Sequence, residues 1–211
     1  MKIVFILTLW NSGSTFLLNS LEKIDNSVGI SEPRSLRKKI LQYILGDKTC
    51  FDDIVKQLES YRVETTLTQK FVFVKEPTLC LIADKLQKIF PSDCFIHLKR
   101  NLKDFTSSYK DEGWWSDGRY PAEVSKTAPF LKQNILSKMN EEQRLEMLYE
   151  HYNKIPNSLH AEKNVFFLTY REMVTKPQLK SKEICQFLNA KEKFFLEEAH
   201  TKQLDRWKED R

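Results

Sequence analysis

Glycine is scarce in this chain, with five among 211 residues. Collagen-like and linker-rich architectures are thereby excluded, and each glycine becomes a position to question. The four cysteines, Cys50, Cys80, Cys94 and Cys185, lie far apart with no CxxC pair, so zinc-ribbon spacing is absent. Three of them sit among apolar neighbours, the setting of a buried, reduced thiol. A chain of this length holds a core without disulfide staples. No run of about 18 apolar residues occurs, so no segment reads as spanning a membrane. The GxxxxGK[ST] phosphate loop is missing too, which argues against phosphoryl transfer of the usual ATP- or GTP-dependent kind. Neither charge sign dominates: Lys+Arg 34 against Asp+Glu 29 leaves +5. That mildly basic balance suits an anionic ligand without calling for nucleic acid.

What is present builds a core. Hydrophobic residues make up 41% and aromatics 12%, which excludes disorder as the main state. The length fits a single domain over residues 1–211. KIVFILTLW, after Met1, is as apolar as a short signal-peptide core but lacks a small-residue cleavage site. It reads as a buried first strand, and the expected compartment is cytoplasmic. Ile3–Leu9, Ser27–Ser31, Phe71–Val74, Cys94–Leu98 and Val165–Thr169 form short β-branched or aromatic runs, most without polar alternation, as strands covered on both faces do. Between them apolar residues recur at helical spacing: Phe16, Leu17, Leu21 and Ile24; Leu36, Ile40, Tyr43 and Ile44; Leu79, Ile82, Leu86 and Ile89; Leu145, Leu148, Tyr149 and Tyr152. The alternation predicts an α/β fold, a parallel sheet of about five strands with helices on both sides. Asp111–Pro129 is the irregular stretch, holding Trp114 and Trp115 as either a core edge or a stacking platform for an acceptor.

Two segments could carry chemistry. In WNSGSTF, Trp10 to Phe16, a small glycine-containing turn leads from the first strand into a helix. Backbone N–H groups and the helix's positive end would make an anion cradle there, with Ser12, Ser14 and Thr15 adding hydroxyls. The same residues read equally as an ordinary helix cap around Gly13. In FIHLKRNLKDFTSSYK, a strand ends at Arg100 and a helix follows. Arg100 and Ser108, two helical turns further on, could meet one phosphate, for which arginine is the planar bidentate donor.

These segments resemble the sulfotransferase family, whose donor is 3′-phosphoadenosine 5′-phosphosulfate (PAPS). The family's 5′-phosphosulfate loop, [KR]SG[ST]T, reads NSGST here at Asn11–Thr15. Its 3′-phosphate motif, RxPxDxxxSxY, reads RNLKDFTSSY, with Arg100, Asp104, Ser108 and Tyr109 in register. LTYREMVTKPQLKSKEICQFLNA, from Leu168, resembles a third segment, in which a tyrosine, here Tyr170, lies near the adenosine. The resemblance implies a P-loop-like sheet and a PAPS-binding set of Asn11, Ser12, Gly13, Ser14, Thr15, Phe16, Arg100, Ser108 and Tyr170, with PAP (3′-phosphoadenosine 5′-phosphate) as product and no metal. SEP (Ser31–Pro33) and VKEP (Val74–Pro77) are similar to the acceptor side of tyrosylprotein and other Golgi-type enzymes and of bacterial relatives. It implies Glu32 as general base and Lys75 as the residue on the transferring sulfuryl group.

The histidine base and late RKGxxG motif of the cytosolic small-molecule branch are absent, and Glu76 stands nearest that base's position. Asn11 replaces the loop's usual cation, with Lys75, Arg34 or Arg37 available to compensate. On their residues alone, Glu32 also reads as a first-turn helix acid, Lys75 and Glu76 as a solvated pair, and His97 as a core histidine. His151, His160 and His200 show no partner pattern. The expected function is sulfuryl transfer from PAPS to a hydroxyl-bearing acceptor, without nucleic acid or membrane partners. The alternatives are a non-catalytic nucleotide-binding relative and a small-molecule kinase.

Overall fold

The structure, a computed structural model, describes residues 1–64, 70–111, 139–191 and 196. Trp114, Trp115 and His200 lie outside them. Five strands, β1 (Lys2–Thr8), β2 (Ser27–Ser31), β3 (Phe71–Lys75), β4 (Cys94–Lys99) and β5 (Val165–Thr169), form one sheet in the order β2-β3-β1-β4-β5. Every pairing is parallel, with Val4 opposite Phe73 on one side and Cys94 on the other. The apolar runs of the sequence are these strands, to within a residue or two at each end. β1, β3 and β4 lack alternation because both faces are covered, whereas the edge strands β2 and β5 are partly exposed.

The period of two along β1 decides which layer each side chain joins. Ile3, Phe5 and Leu7 point into one core, shared with α2 (Arg34–Ile44), α3 (Cys50–Glu64), α4 (Ala83–Ile89), α5 (Leu102–Asp111) and α6 (Glu141–Ser158). Val4 and Ile6 point into the other, against α1 (Ser14–Leu21), α7 (Tyr170–Thr175) and α8 (Pro177–Leu188). Phe5 stacks on Phe95 of β4 with ring centroids 4.8 Å apart. The segment expected as one helix from Leu79 to Ile89 is instead a 3₁₀ helix, Pro77–Ile82, followed by α4. Pro77 and the Glu76 side chain, which accepts from the Thr78 N–H, start the tighter turn. All four cysteines are free and buried, one more than the three whose apolar neighbours indicate it in the sequence. No helix among the described residues is long and apolar enough to cross a membrane.

One buried polar cluster is set into the first core. His97 is fully buried in β4, its Nε2 3.1 Å from Asn153 Oδ1 and its Nδ1 2.8 Å from His160 Nε2. Asn153 Nδ2 donates to the Tyr149 carbonyl, so its oxygen faces His97 and His97 donates through Nε2. His97 Nδ1 is then an acceptor, and His160 donates to it. The core-histidine reading of His97 holds, whereas His160, read as partnerless, is its partner.

Burial is the main cause that pushes the His97 pKa down to about 3. The unfolded chain takes up this proton near 6.5 and the native state does not. Stability is therefore full above pH 6.5 and falls as pH drops towards the folded value. Between pH 6.5 and 5 the expected loss is on the order of 2 kcal/mol. Denaturant unfolding at pH 7 and pH 5 checks this: the gap between the two should shrink in His97→Gln. An undiminished gap assigns it to His151 and His160, whose pKa values burial also lowers.

Candidate functional site

In a parallel sheet all carboxyl ends lie along one edge, and ligands of open α/β sheets bind outside that edge where the strand order reverses. Here β1 is central and the chain leaves it first towards β3 and β2, later towards β4 and β5. Each strand delivers a predicted site residue at or just beyond its carboxyl end: the 11–15 loop after β1, Glu32 after β2, Lys75 ending β3, Arg100 after β4 and Tyr170 after β5.

The turn from β1 into α1 uses two left-handed residues, Asn11 (φ 56°) and Gly13 (φ 83°). Glycine is required at the second, because a Cβ there would lie 2.4 Å from the Tyr170 ring. Gly13 also caps α1 without a side chain, and the first turn holds no acidic residue. The leading N–H groups and the helix's positive end thus have no side-chain counterpart from the cap. Asn11 Nδ2 is buried with no hydrogen-bond partner among the described residues. Ser12 and Ser14 are buried, Ser12 Oγ donating to the Trp10 carbonyl at 3.4 Å. Phe16 is half-buried against the α1-side core.

Lys75 is 2% exposed, so the solvated reading is overturned. Its Nζ lies 2.9 Å from Thr15 Oγ1 and 2.8 Å from Glu32 Oε1. Glu32 is not a first-turn helix acid. It precedes Pro33, which caps α2, and stands at φ 47°. A left-handed residue other than glycine costs about 1–2 kcal/mol, and the contacts here offset that. The Glu32 N–H donates to the Lys75 carbonyl at 2.7 Å, and the carboxylate takes Lys75 on one oxygen and Arg37 Nη2, at 2.9 Å, on the other. Burial alone would push the Glu32 pKa up. The bonds and charges of Lys75 and Arg37 outweigh burial and hold it below the ordinary carboxylate value.

Arg37 Nε in turn lies 3.1 Å from both oxygens of Glu76, which is fully buried. Glu76 also accepts from the Thr78 N–H and hydroxyl. Its place between an ion pair and a helix start was not readable from VKEP. The available signal was its position before proline, where an acid caps the next turn.

On the β4 side, Arg100 Nη1 donates to the Asn11 carbonyl at 2.7 Å, and its guanidinium sits 4.8 Å from the centre of the Tyr170 ring. Tyr149 from α6, unmarked in the sequence, donates to the Arg100 carbonyl at 2.7 Å. Tyr170 begins α7, whose Thr169–Glu172 capping box fixes its direction. Its ring is buried beneath Gly13 and forms the floor of the loop. Burial raises the Tyr170 pKa, the charge of Arg100 lowers it, and that of Asp104 raises it again. Ser108, half-buried, follows Asp104 by one turn of α5. Tyr109 instead joins the core, its ring 4.8 Å from that of Phe105. The structure thus gathers two groups: Asn11, Gly13, Arg100 and Tyr170 on one side, and Thr15, Lys75 and Glu32 on the other.

A sulfotransferase family model matches residues 43–193, well over half of the chain. The chain belongs to the sulfotransferase family. The match takes in Lys75, Arg100 and Tyr170, while the glycine loop and Glu32 lie before it. Solved structures share the fold across nearly the whole chain. The sulfotransferase domain from the curacin biosynthetic pathway has a TM-score of 0.63 at 21% identity, over 92% of this chain and 76% of that one. The corresponding domain of the Synechococcus PCC 7002 olefin synthase has a TM-score of 0.62 at 15% identity, over 97% and 82%. A sulfotransferase from Alicyclobacillus acidocaldarius reaches 0.59 at 14% identity, over 98% and 89%. No curated protein sequence matches the chain.

The fit of Gly13 over Tyr170 has a measurable consequence for stability. Gly13→Ala adds a strained left-handed alanine and a collision with the ring, together about 2–5 kcal/mol by the usual costs of strain and overpacking. In a Tyr170→Ala background the collision vanishes and only the backbone strain remains. A double-mutant cycle by denaturant unfolding should therefore show a smaller, non-zero cost for Gly13→Ala in that background. Equal costs in both backgrounds would mean the ring is not what excludes a side chain.

Proposed function

We propose that the chain transfers a sulfuryl group from PAPS to a hydroxyl-bearing acceptor, with Glu32 as general base. The observation that carries this reading is Lys75, whose ammonium touches Thr15 of the glycine loop and the Glu32 carboxylate at once. A cation poised between an anion cradle and a base is the arrangement that an in-line displacement between two oxygens needs.

The residues present fit such a donor. The start of α1, which Gly13 leaves without a side-chain cap, and the Asn11 amide, whose Nδ2 has no partner among the described residues, offer donors, and these would hold the 5′-phosphate end. Arg100, with Ser108 on the helix that follows, would hold the 3′-phosphate, and Phe16 and Tyr170 would border the adenine. When bound, PAPS supplies an activated sulfuryl group with a phosphate as leaving group. Lys75 neutralises charge on the sulfuryl oxygens and the departing oxygen. Glu32 would take the acceptor's hydroxyl proton as that oxygen bonds to sulfur, with the electron pair of the broken S–O bond going to the phosphate leaving group. Lys75 and Arg37 keep Glu32 ionised, and so ready to accept a proton, below the usual carboxylate range. Transfer of Lys75 from Glu32 to the donor raises the basicity of Glu32 when it is required.

Two measurements test this reading. Calorimetry should show PAP binding well above 5′-AMP, and Arg100→Ala should weaken PAP about 10–100-fold, the loss of a charge-assisted bond of roughly 1.5–3 kcal/mol. Equal binding of PAP and AMP would remove the 3′-phosphate role from Arg100. With acceptor and PAPS, Glu32→Gln should lower kcat by about 10²–10⁴-fold and leave PAP affinity nearly unchanged. The acid limb of the wild-type pH profile should disappear in that variant. PAP binding without turnover in the wild type, across phenol, sugar, peptide-tyrosine and lipid-alcohol acceptors, would favour a non-catalytic relative, to which the uncharged Asn11 points.

A further inference from the structure

Glu32 has one oxygen on Lys75 and the other on Arg37, and the two holds differ in kind. Lys75 has a second partner in Thr15 at the end of a flexible stem, so it can leave Glu32 without losing every bond. Arg37 cannot move as freely. Its Nε bridges both oxygens of Glu76, itself fully buried and tied to the Thr78 N–H and hydroxyl at the start of the 3₁₀ helix. The result is a line of four alternating charges, Lys75, Glu32, Arg37 and Glu76, anchored at its far end by a carboxylate with no access to solvent.

We infer that Arg37, clamped by Glu76, is a positioning residue for Glu32. It tethers Oε2 and leaves Oε1, the oxygen Lys75 can release, as the one that accepts the proton. This rests on the general-base reading of Glu32. Glu76 is not an alternative base here: both of its oxygens are occupied, and it is sealed from any acceptor. Its charge acts at one remove, by sharing the guanidinium with Glu32. Among the described residues, the charged groups acting directly on Glu32 are Lys75 from β3 and Arg37 from α2, and Glu76 acts on Arg37 from the end of β3.

The line of charges predicts shifts of opposite sign, which a purely structural role would not produce. Neutralising Glu76 leaves the Arg37 charge wholly on Glu32 and should lower the Glu32 titration midpoint. Removing Arg37 and Glu76 together should raise it, since Glu32 then keeps Lys75 alone. Arg37→Gln alone would strand a buried carboxylate and threaten folding, so the informative variants are Glu76→Gln and the double variant Arg37→Gln/Glu76→Gln. The midpoint is read in nucleotide-free protein by carbon-13 NMR of labelled glutamate carboxyls, the Glu32 signal being assigned by its loss in Glu32→Gln. A neighbouring opposite charge moves a carboxylate by about 1–3 pH units, so shifts of about one unit, down and up respectively, are expected. With acceptor and PAPS, the acid limb of turnover should follow the same two directions, while PAP affinity stays within about twofold. Midpoints equal to wild type in both variants overturn the inference, whatever Glu32→Gln does to turnover. Shifted midpoints beside a fully active Glu32→Gln instead overturn the general-base reading and leave the electrostatic coupling standing.

Discussion

A lysine buried to 2% exposure at the end of β3 is the constraint around which the carboxyl edge of this sheet is arranged. An ammonium withdrawn from water is tolerated only if the protein supplies its partners. Those partners must come from outside β3, because the flanking strand residues Val72, Phe73 and Val74 are core. One comes from the first turn of α1, the other from the residue after β2. Supplying the second bends the Glu32 backbone into the left-handed region, and the bend is held by the Glu32 N–H on the Lys75 carbonyl. The backbone and side chain of each residue therefore serve the other. The loop, edge strand β2 and its neighbour β3 are locked together by one polar contact set between two apolar layers.

That lock brings the glycine loop and Glu32 close to each other, with Lys75 between them. The loop is fixed from below by Tyr170 and from the β4 side by Arg100, which holds the Asn11 carbonyl. Glu32 is fixed from α2 by Arg37. Lys75 alone belongs to both sets, so any ligand that draws its ammonium changes the charge felt by Glu32. Coupling between the loop and Glu32 needs no domain movement, only the exchange of one hydrogen-bond partner.

The strands and helix faces were legible because a doubly covered parallel sheet writes itself as unbroken apolar runs. The glycine loop was legible because glycine is rare in this chain and its place after β1 is demanding. The 3₁₀ helix at Pro77–Ile82 was not, since the apolar spacing of Leu79 and Ile82 suits either helix and the choice falls to Pro77 and Glu76. The depth of Lys75 and Glu76 was hidden for another reason. Charged residues before proline ordinarily read as surface, and only the approach of α2, set by the tertiary packing of Leu36 and Ile40, brings Arg37 over them. The His97–His160 pair escaped likewise, its members joined only by the return of β5 beside β4.

Asn11 is the point at which this chain departs from the loop it resembles, and the backbone supplies a reason. At φ 56° the position is left-handed, where asparagine is among the few residues that sit without much strain. A lysine or arginine would bring charge at the cost of that conformation. The charge is not missing from the region, however. Arg100 presses on the Asn11 carbonyl from β4, and Lys75 reaches the far side of the loop from β3. Two cations at strand ends flank a neutral turn, and only the additional cation that the resembled loop carries on the turn itself is absent here. A charge carried by a strand end is better fixed than one on a loop, and electrostatic stabilisation of a transition state depends on such fixed placement. The neutral loop therefore keeps its backbone geometry, and the flanking strands keep the field.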